Sequence, residues 1–207
     1  MKGLILKDLL NLKKQGKIFP LIIIFYMILS VIVDEATFFL GFVVLLCSMV
    51  PVTTLAYDEK SRWDKYALTM PVSRKDLVMS KYMLGLLCLL AGVLVTFLFH
   101  AVTALVKSQP LDSYLMLTLA ALSSMGLLFL SLNLPLIYKF GTEKGRFIYI
   151  ALAILLLMPM TGTSFESYQT MLSGRIEYLY FLPLIAFVLF FASLGLSIKI
   201  MNRKNFV

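Results

Sequence analysis

The sequence predicts an all-α membrane protein: six transmembrane helices, an interfacial amphipathic helix ahead of them, and a cytoplasmic helix between spans 2 and 3. Three observations predict it. Of 207 residues, 60% are apolar and 14% charged, with a mean hydropathy of +0.92, where a soluble domain holds about half and about a quarter. The apolar residues gather into six continuous runs. The basic residues gather in alternate gaps between those runs. A water-soluble fold of this length leaves too much surface exposed to hide so much oil. Disorder, collagen and a disulfide-rich secreted module are excluded by the same figures, and the continuous runs lack the alternation of barrel strands.

Residues 1–17 carry Lys2, Lys7, Lys13, Lys14 and Lys17. Ile5, Leu9 and Leu12 recur at helical spacing, and Lys7, Asn11 and Lys14 do so on another face. The segment therefore winds into an amphipathic helix with an oily face and a cationic one, suited to anionic headgroups. No small-residue cleavage site follows the next apolar stretch, so the segment is expected to be retained. Spans are expected at 18–33, 36–56, 82–106, 114–138, 147–160 and 178–198 of a single transmembrane domain, 1–207. The first is short for a core of ~30 Å. Asp34 and Glu35 form a tight acidic turn, and 161–177 an outer loop in which Phe165, Tyr168, Met171 and Leu172 keep helical spacing. Cys47 and Cys88 lie inside apolar runs and serve as small hydrophobes.

Sidedness follows from the Lys/Arg bias of short loops. Placing 1–17, 57–81, 139–146 and the tail after 198 on one side collects 17 of the 19 basic residues there, leaving Lys107 and Arg175 opposite. That side is the cytoplasm, and both termini face it. The net charge of +8 is thus explained by topology, and no nucleic acid is required.

Much familiar chemistry is absent from the sequence. Gly141 to Arg146 is the nearest approach to a phosphate loop, and it lacks the spacing and the Ser/Thr. One histidine, His100, builds no metal cluster, and there is no nucleophile elbow or zinc helix motif. Asp34, Glu35, Asp112, Glu166 and Glu177 all fall at outer ends, so no intramembrane acid pair is apparent. No catalytic residue, cofactor or metal site is expected in this chain; any energy comes from elsewhere.

The loop 57–81 is the informative segment. Trp63, Tyr66, Ala67 and Met70 fall at i, i+3, i+4 and i+7, with Glu59, Lys60, Arg62, Asp64 and Lys65 on other faces. Pro71 stops this helix, and Ser73 with Asp76 has the form of a cap opening the next. The helix could lie on the inner leaflet with Trp63 and Tyr66 as interfacial anchors. Asp58, Glu59 and Asp64 would then face anionic lipid at a cost, so a groove on a protein partner suits it better.

The run Glu59-Lys60-x-x-Trp63-Asp64-x-Tyr66, followed by Met70-Pro71-Val72-Ser73-Arg74, resembles the small ABC-2-type permease family of bacterial ABC exporters. The opening Met1-Lys2-Gly3-Leu4-x-x-Lys7-Asp8 is similar to the family's opening. The resemblance implies a bacterial plasma-membrane subunit without its own ATPase, with ATP and Mg held by a separate cytoplasmic ATP-binding subunit. It further implies a dimer of permeases, an interfacial connector helix, and a coupling helix in this loop. Glu59, Arg62, Trp63, Asp64, Tyr66 and Met70 are the residues that would meet the ATPase, with Trp63 and Tyr66 as desolvated anchors. One subgroup exports amphipathic peptides, phenol-soluble modulins and antimicrobial peptides among them.

The translocation path is read from hydroxylated and amide residues at kinked helices, namely Ser48, Thr53 and Thr54 in span two and Asn133 in span four. Such residues serve plain helix packing equally well. Few charges line any span, so an apolar or amphipathic substrate entering from the bilayer fits better than a charged one. The rival readings are a substrate-binding membrane subunit of a vitamin importer, an intramembrane enzyme, and a non-transporting assembly or immunity protein.

Overall fold

The computed structural model describes residues 2–15, 18–32, 36–67, 69–106, 114–157 and 181–203. Every regular element among them is α-helical: α1 (Lys2–Gln15), α2 (Ile18–Ile32), α3 (Ala36–Ser48), α4 (Val50–Lys60), α5 (Trp63–Ala67), α6 (Arg74–Val106), α7 (Tyr114–Leu157) and α8 (Leu182–Arg203). The turn at Asp34–Glu35 and the outer loop 161–177 lie outside the described residues.

The second expected span is two helices in series. Pro51 has no N–H to give to the preceding turn, and the chain passes through Met49, whose N–H is shared between Leu45 O and Leu46 O at 3.1 Å each. The proline then sits in the first turn of α4, where a missing donor costs nothing. Together the two run from Ala36 to Lys60, four residues beyond the expected end of the span. The fourth and fifth expected spans are joined through Gly141, whose φ of 81° and ψ of 170° break α7 without a longer loop.

Four helical stretches are long and apolar enough to cross a bilayer: Phe39–Lys60, Arg74–Leu105, Leu119–Gly145 and Leu182–Arg203. α1 and α2, bent by 67°, make a fifth if taken together. Among the described residues this supports an all-α membrane protein with four or five candidate crossings, and parts of the fifth and sixth expected spans, 158–160 and 178–180, lie outside the described residues. The 15 residues of α2 rise about 22 Å, short of a core of ~30 Å on their own.

α3 packs against α6 and α7, α8 lies along α7 and α6, and α2 rests on α3, where the rings of Tyr26 and Phe42 stack at 4.8 Å. The main core joins Leu55, Val78, Tyr82, Leu130, Leu134, Ile137 and Phe190 from four helices. Lipid tails are as apolar as leucine, so close packing rather than oil-from-water transfer holds such helices together. Small residues permit it. A Cβ on Gly126 would lie 2.7 Å from Leu89 Cδ1 and 3.1 Å from Val44 Cγ1, and one on Gly92 would lie 2.9 Å from Cys47 Cβ. Outward, α6 shows a lipid-type stripe of Met83, Leu87, Leu90, Leu94, Leu98 and Val102.

Gly126→Val should therefore lower stability by about 1–3 kcal/mol through overpacking, whereas Gly195→Val, which meets open space, should be near neutral. Thermal unfolding of both variants in detergent checks the contrast.

Candidate functional site at the basic end of the bundle

The functional geometry concentrates where the lysine-rich segments meet. Lys7 and Asp8 face inward from α1, Asp58 from the last turn of α4, and Lys81 from the second turn of α6. Lys7 Nζ lies 3.1 Å from Asp8 Oδ1 and 2.6 Å from Asp58 Oδ1. Lys81 Nζ lies 2.8 Å from Asp8 Oδ2 and 2.6 Å from Asp58 Oδ2. Each carboxylate takes both ammonium groups, so the four charges close into a net-neutral ring. Asp8 is 1% exposed, and Asp58 and Lys81 are buried with it.

This corrects two expectations. Lys7 does not sit on a cationic face turned to headgroups, and Asp58 does not face lipid or a partner. Burial is the cause: an unpaired charge out of water costs several kcal/mol, so each charge finds its opposite before it finds solvent. The outward side of α1 is instead apolar, at Leu6, Leu9 and Leu10, with Lys13 and Lys14 exposed beyond.

The next residue of α6 faces the other way. Tyr82 Oη lies 2.7 Å from both Ser193 Oγ and Ser197 Oγ. Ser193 donates its own proton to Ser131 O, so it accepts from Tyr82, and Ser197 must donate to the tyrosine oxygen. One directed chain of hydroxyls thus ties α6 to α8 and α7. Lys81 and Tyr82 together make the start of α6 the hub of the basic end.

The loop 57–81 departs from a single helix over Glu59 to Met70. α4 continues to Lys60, where Ser61 Oγ donates to Tyr57 O at 2.9 Å. Arg62, at φ 51°, then breaks the winding, and α5 is one short turn, Trp63–Ala67. The capped restart is present as expected: Ser73 Oγ accepts from Asp76 N at 3.1 Å, and Asp76 Oδ2 accepts from Ser73 N at 3.2 Å. Arg74 Nη1 donates to Met201 O and Asn202 O at the carboxyl end of α8, where a cation is favoured.

The expected partner-facing residues separate into two groups. Trp63 is half-buried against the core, with Lys7 Nζ 4.5 Å above its ring. Glu59 is exposed but engaged, its Oε2 accepting from Thr142 N at 2.7 Å. A carboxylate from α4 thereby caps the part of α7 that begins after Gly141. Tyr66 is 58% exposed and Met70 39% exposed, with the Tyr66 ring 5.5 Å from that of Trp63. Arg62 is exposed, and the side chain of Asp64 lies outside the described residues.

The expected path residues each bond within their own helices. Ser48, Thr53 and Thr54 donate to Leu45 O, Val50 O and Pro51 O of their own helices, and Asn133 Nδ2 donates to Phe129 O at 3.1 Å. The three hydroxyls are spent locally, as packing residues' are, whereas Asn133 Oδ1 is buried with no partner among the described residues. What the residue pattern did not reveal is the ring. The signals available were a lone acid in a basic helix, Asp8, and a lysine at the edge of an apolar run, Lys81.

A family model described as ABC-2 family transporter protein matches residues 3–202. The chain belongs to the ABC-2 transporter family. No curated protein and no solved structure matches it. The match spans α1 through α8, so the ring, the hydroxyl chain and the loop all belong to an ABC-2 permease, a membrane transport component of a kind that works with an ATPase subunit.

In this permease, Glu59→Ala should remove the cap on Thr142 at a cost of about 1 kcal/mol. Hydrogen exchange at the amides just after Gly141 should speed up, while amides of α8 remain unchanged.

Proposed function

We propose that the chain is the permease subunit of an ATP-driven exporter in a bacterial plasma membrane, working as a dimer with both termini in the cytoplasm. ATP and Mg are held by a separate cytoplasmic ATP-binding subunit. One observation supports this reading within the family: Tyr66 in α5 and Met70 just after it are exposed at the end where the basic loops meet, while Asp8, Asp58 and Lys81 there are buried in internal ion pairs. An aromatic and a flexible thioether, exposed side by side, suit a shallow groove on a protein. The anchors are therefore Tyr66 and Met70, with Arg62 at their edge, and Trp63 supports them from behind.

The substrate reading follows from the spans. Between Tyr82 and Val106, Tyr114 and Tyr138, and Leu182 and Ile198 no Asp, Glu, Lys or Arg occurs. Such walls offer little to a highly charged solute and suit an apolar or amphipathic one, a peptide above all.

Pulled from native membranes in mild detergent, the tagged chain should bring an ATP-binding subunit with it. Tyr66→Ala combined with Met70→Ala should weaken that association about tenfold or more and reduce peptide efflux, with insertion unchanged. Recovery of an additional scaffold subunit instead would support the importer reading.

A further inference from the structure

We propose that Lys7, Asp8, Asp58 and Lys81 are positioning residues that carry movement of the loop to α1, with Trp63 as the contact that reads α5 from behind. The proposal deepens the exporter reading and rests on it. α5 is a single turn of helix, flanked by the left-handed Arg62 and by Pro71. Its inner face is Ala67, buried in the core, and half-buried Trp63, whose ring lies under Lys7 Nζ at 4.5 Å. Lys7 is at once the outermost member of the charge ring, its side chain 23% exposed against 1% for Asp8 and 6% for Asp58 and Lys81. Displacing Trp63 therefore disturbs the one ring member with access to solvent.

The ring transmits rather than absorbs such a displacement. Two of its contacts cross from α1 to other helices, Lys7 to Asp58 on α4 and Asp8 to Lys81 on α6. Buried charges cannot drift apart without exposing an unpaired ion to a medium that solvates it poorly. The low-cost motion is for α1 to follow the loop with the ring intact. A partner that moves α5 thus moves α1 as well, and with it the leucines of α1's outward face.

Charge-neutral pairs of substitutions separate this role from mere stability. Lys7→Met with Asp8→Asn leaves Asp58 paired with Lys81 and removes both ties to α1. Asp8→Asn with Lys81→Met leaves Lys7 paired with Asp58, so one tie to α1 and the Trp63 contact survive. Neither strands a charge. Spin labels on cysteines replacing Leu10 in α1 and Tyr66 in α5, with the chain alone in liposomes, report the spacing of the two elements. The first pair should broaden the label distance, and the second should keep it narrow. Trp63→Leu should broaden it with the ring intact, and Trp63→Phe should restore it. In the complex with its ATPase, on chains that keep Leu10 and Tyr66, Lys7→Met with Asp8→Asn should cut efflux per ATP hydrolysed about tenfold. Equal label distances for the two neutral pairs, or an unchanged distance in Trp63→Leu, would overturn the proposal. Because the distances are read without any ATPase, a failure of the exporter reading shows up separately, as absence of a partner.

Discussion

The structure depends on a closed set of four charges that must stay together. Two carboxylates and two ammoniums, mostly withdrawn from water, are tolerable only as a neutral ring in which every charge touches its opposite. That condition fixes three helices at once: α1 at Lys7 and Asp8, α4 at Asp58, and α6 at Lys81. It decides which side of α1 faces inward, and so leaves Leu6, Leu9 and Leu10 outside. A helix read only for its oily and cationic faces would be rolled the other way.

Around the ring, the same end of the bundle is laced by local polar contacts that obey simpler rules. Tyr82 connects to the serines of α8, Arg74 meets the last carbonyls of α8, and Glu59 caps the helix that restarts after Gly141. Each answers a demand of the backbone or of a buried hydroxyl: a helix end left open, or an O–H out of water. The outcome is that α4, α6, α7 and α8 are all tied into one end. Farther along, α3, α6 and α7 pack closely through glycine and leucine.

The residue pattern made the class of fold legible because the bilayer imposes it: continuous apolar runs must be helices, and basic gaps must share a side. It also located the capped start of α6, since Ser73 and Asp76 act within one turn of chain. It could not show which charges pair across helices, because Asp8, Asp58 and Lys81 are separated by dozens of residues and local spacing says nothing of their meeting. The same blindness affected Trp63. Its place on a helical stripe with Tyr66 was clear, but whether that stripe faced a partner or the core depended on Lys7, far along the chain.

The division between a cross-linked end and a plainly packed remainder bears on how such a chain can change shape. Interfaces made of leucine and glycine have no directional bonds to break, so helices can tilt against one another at little cost. Interfaces made of a charge ring and end caps cannot shear without stranding a polar group, so they move as a body. Force applied at the basic end is therefore conserved there as rigid displacement. It is released as helix rearrangement only beyond, in the apolar stretches. If the permease is driven from its loop, as proposed, that order of stiffness serves it, because a compliant base would dissipate the motion before it reached the spans. The four-charge ring makes that end stiff because separating its members costs more than moving the helices that carry them.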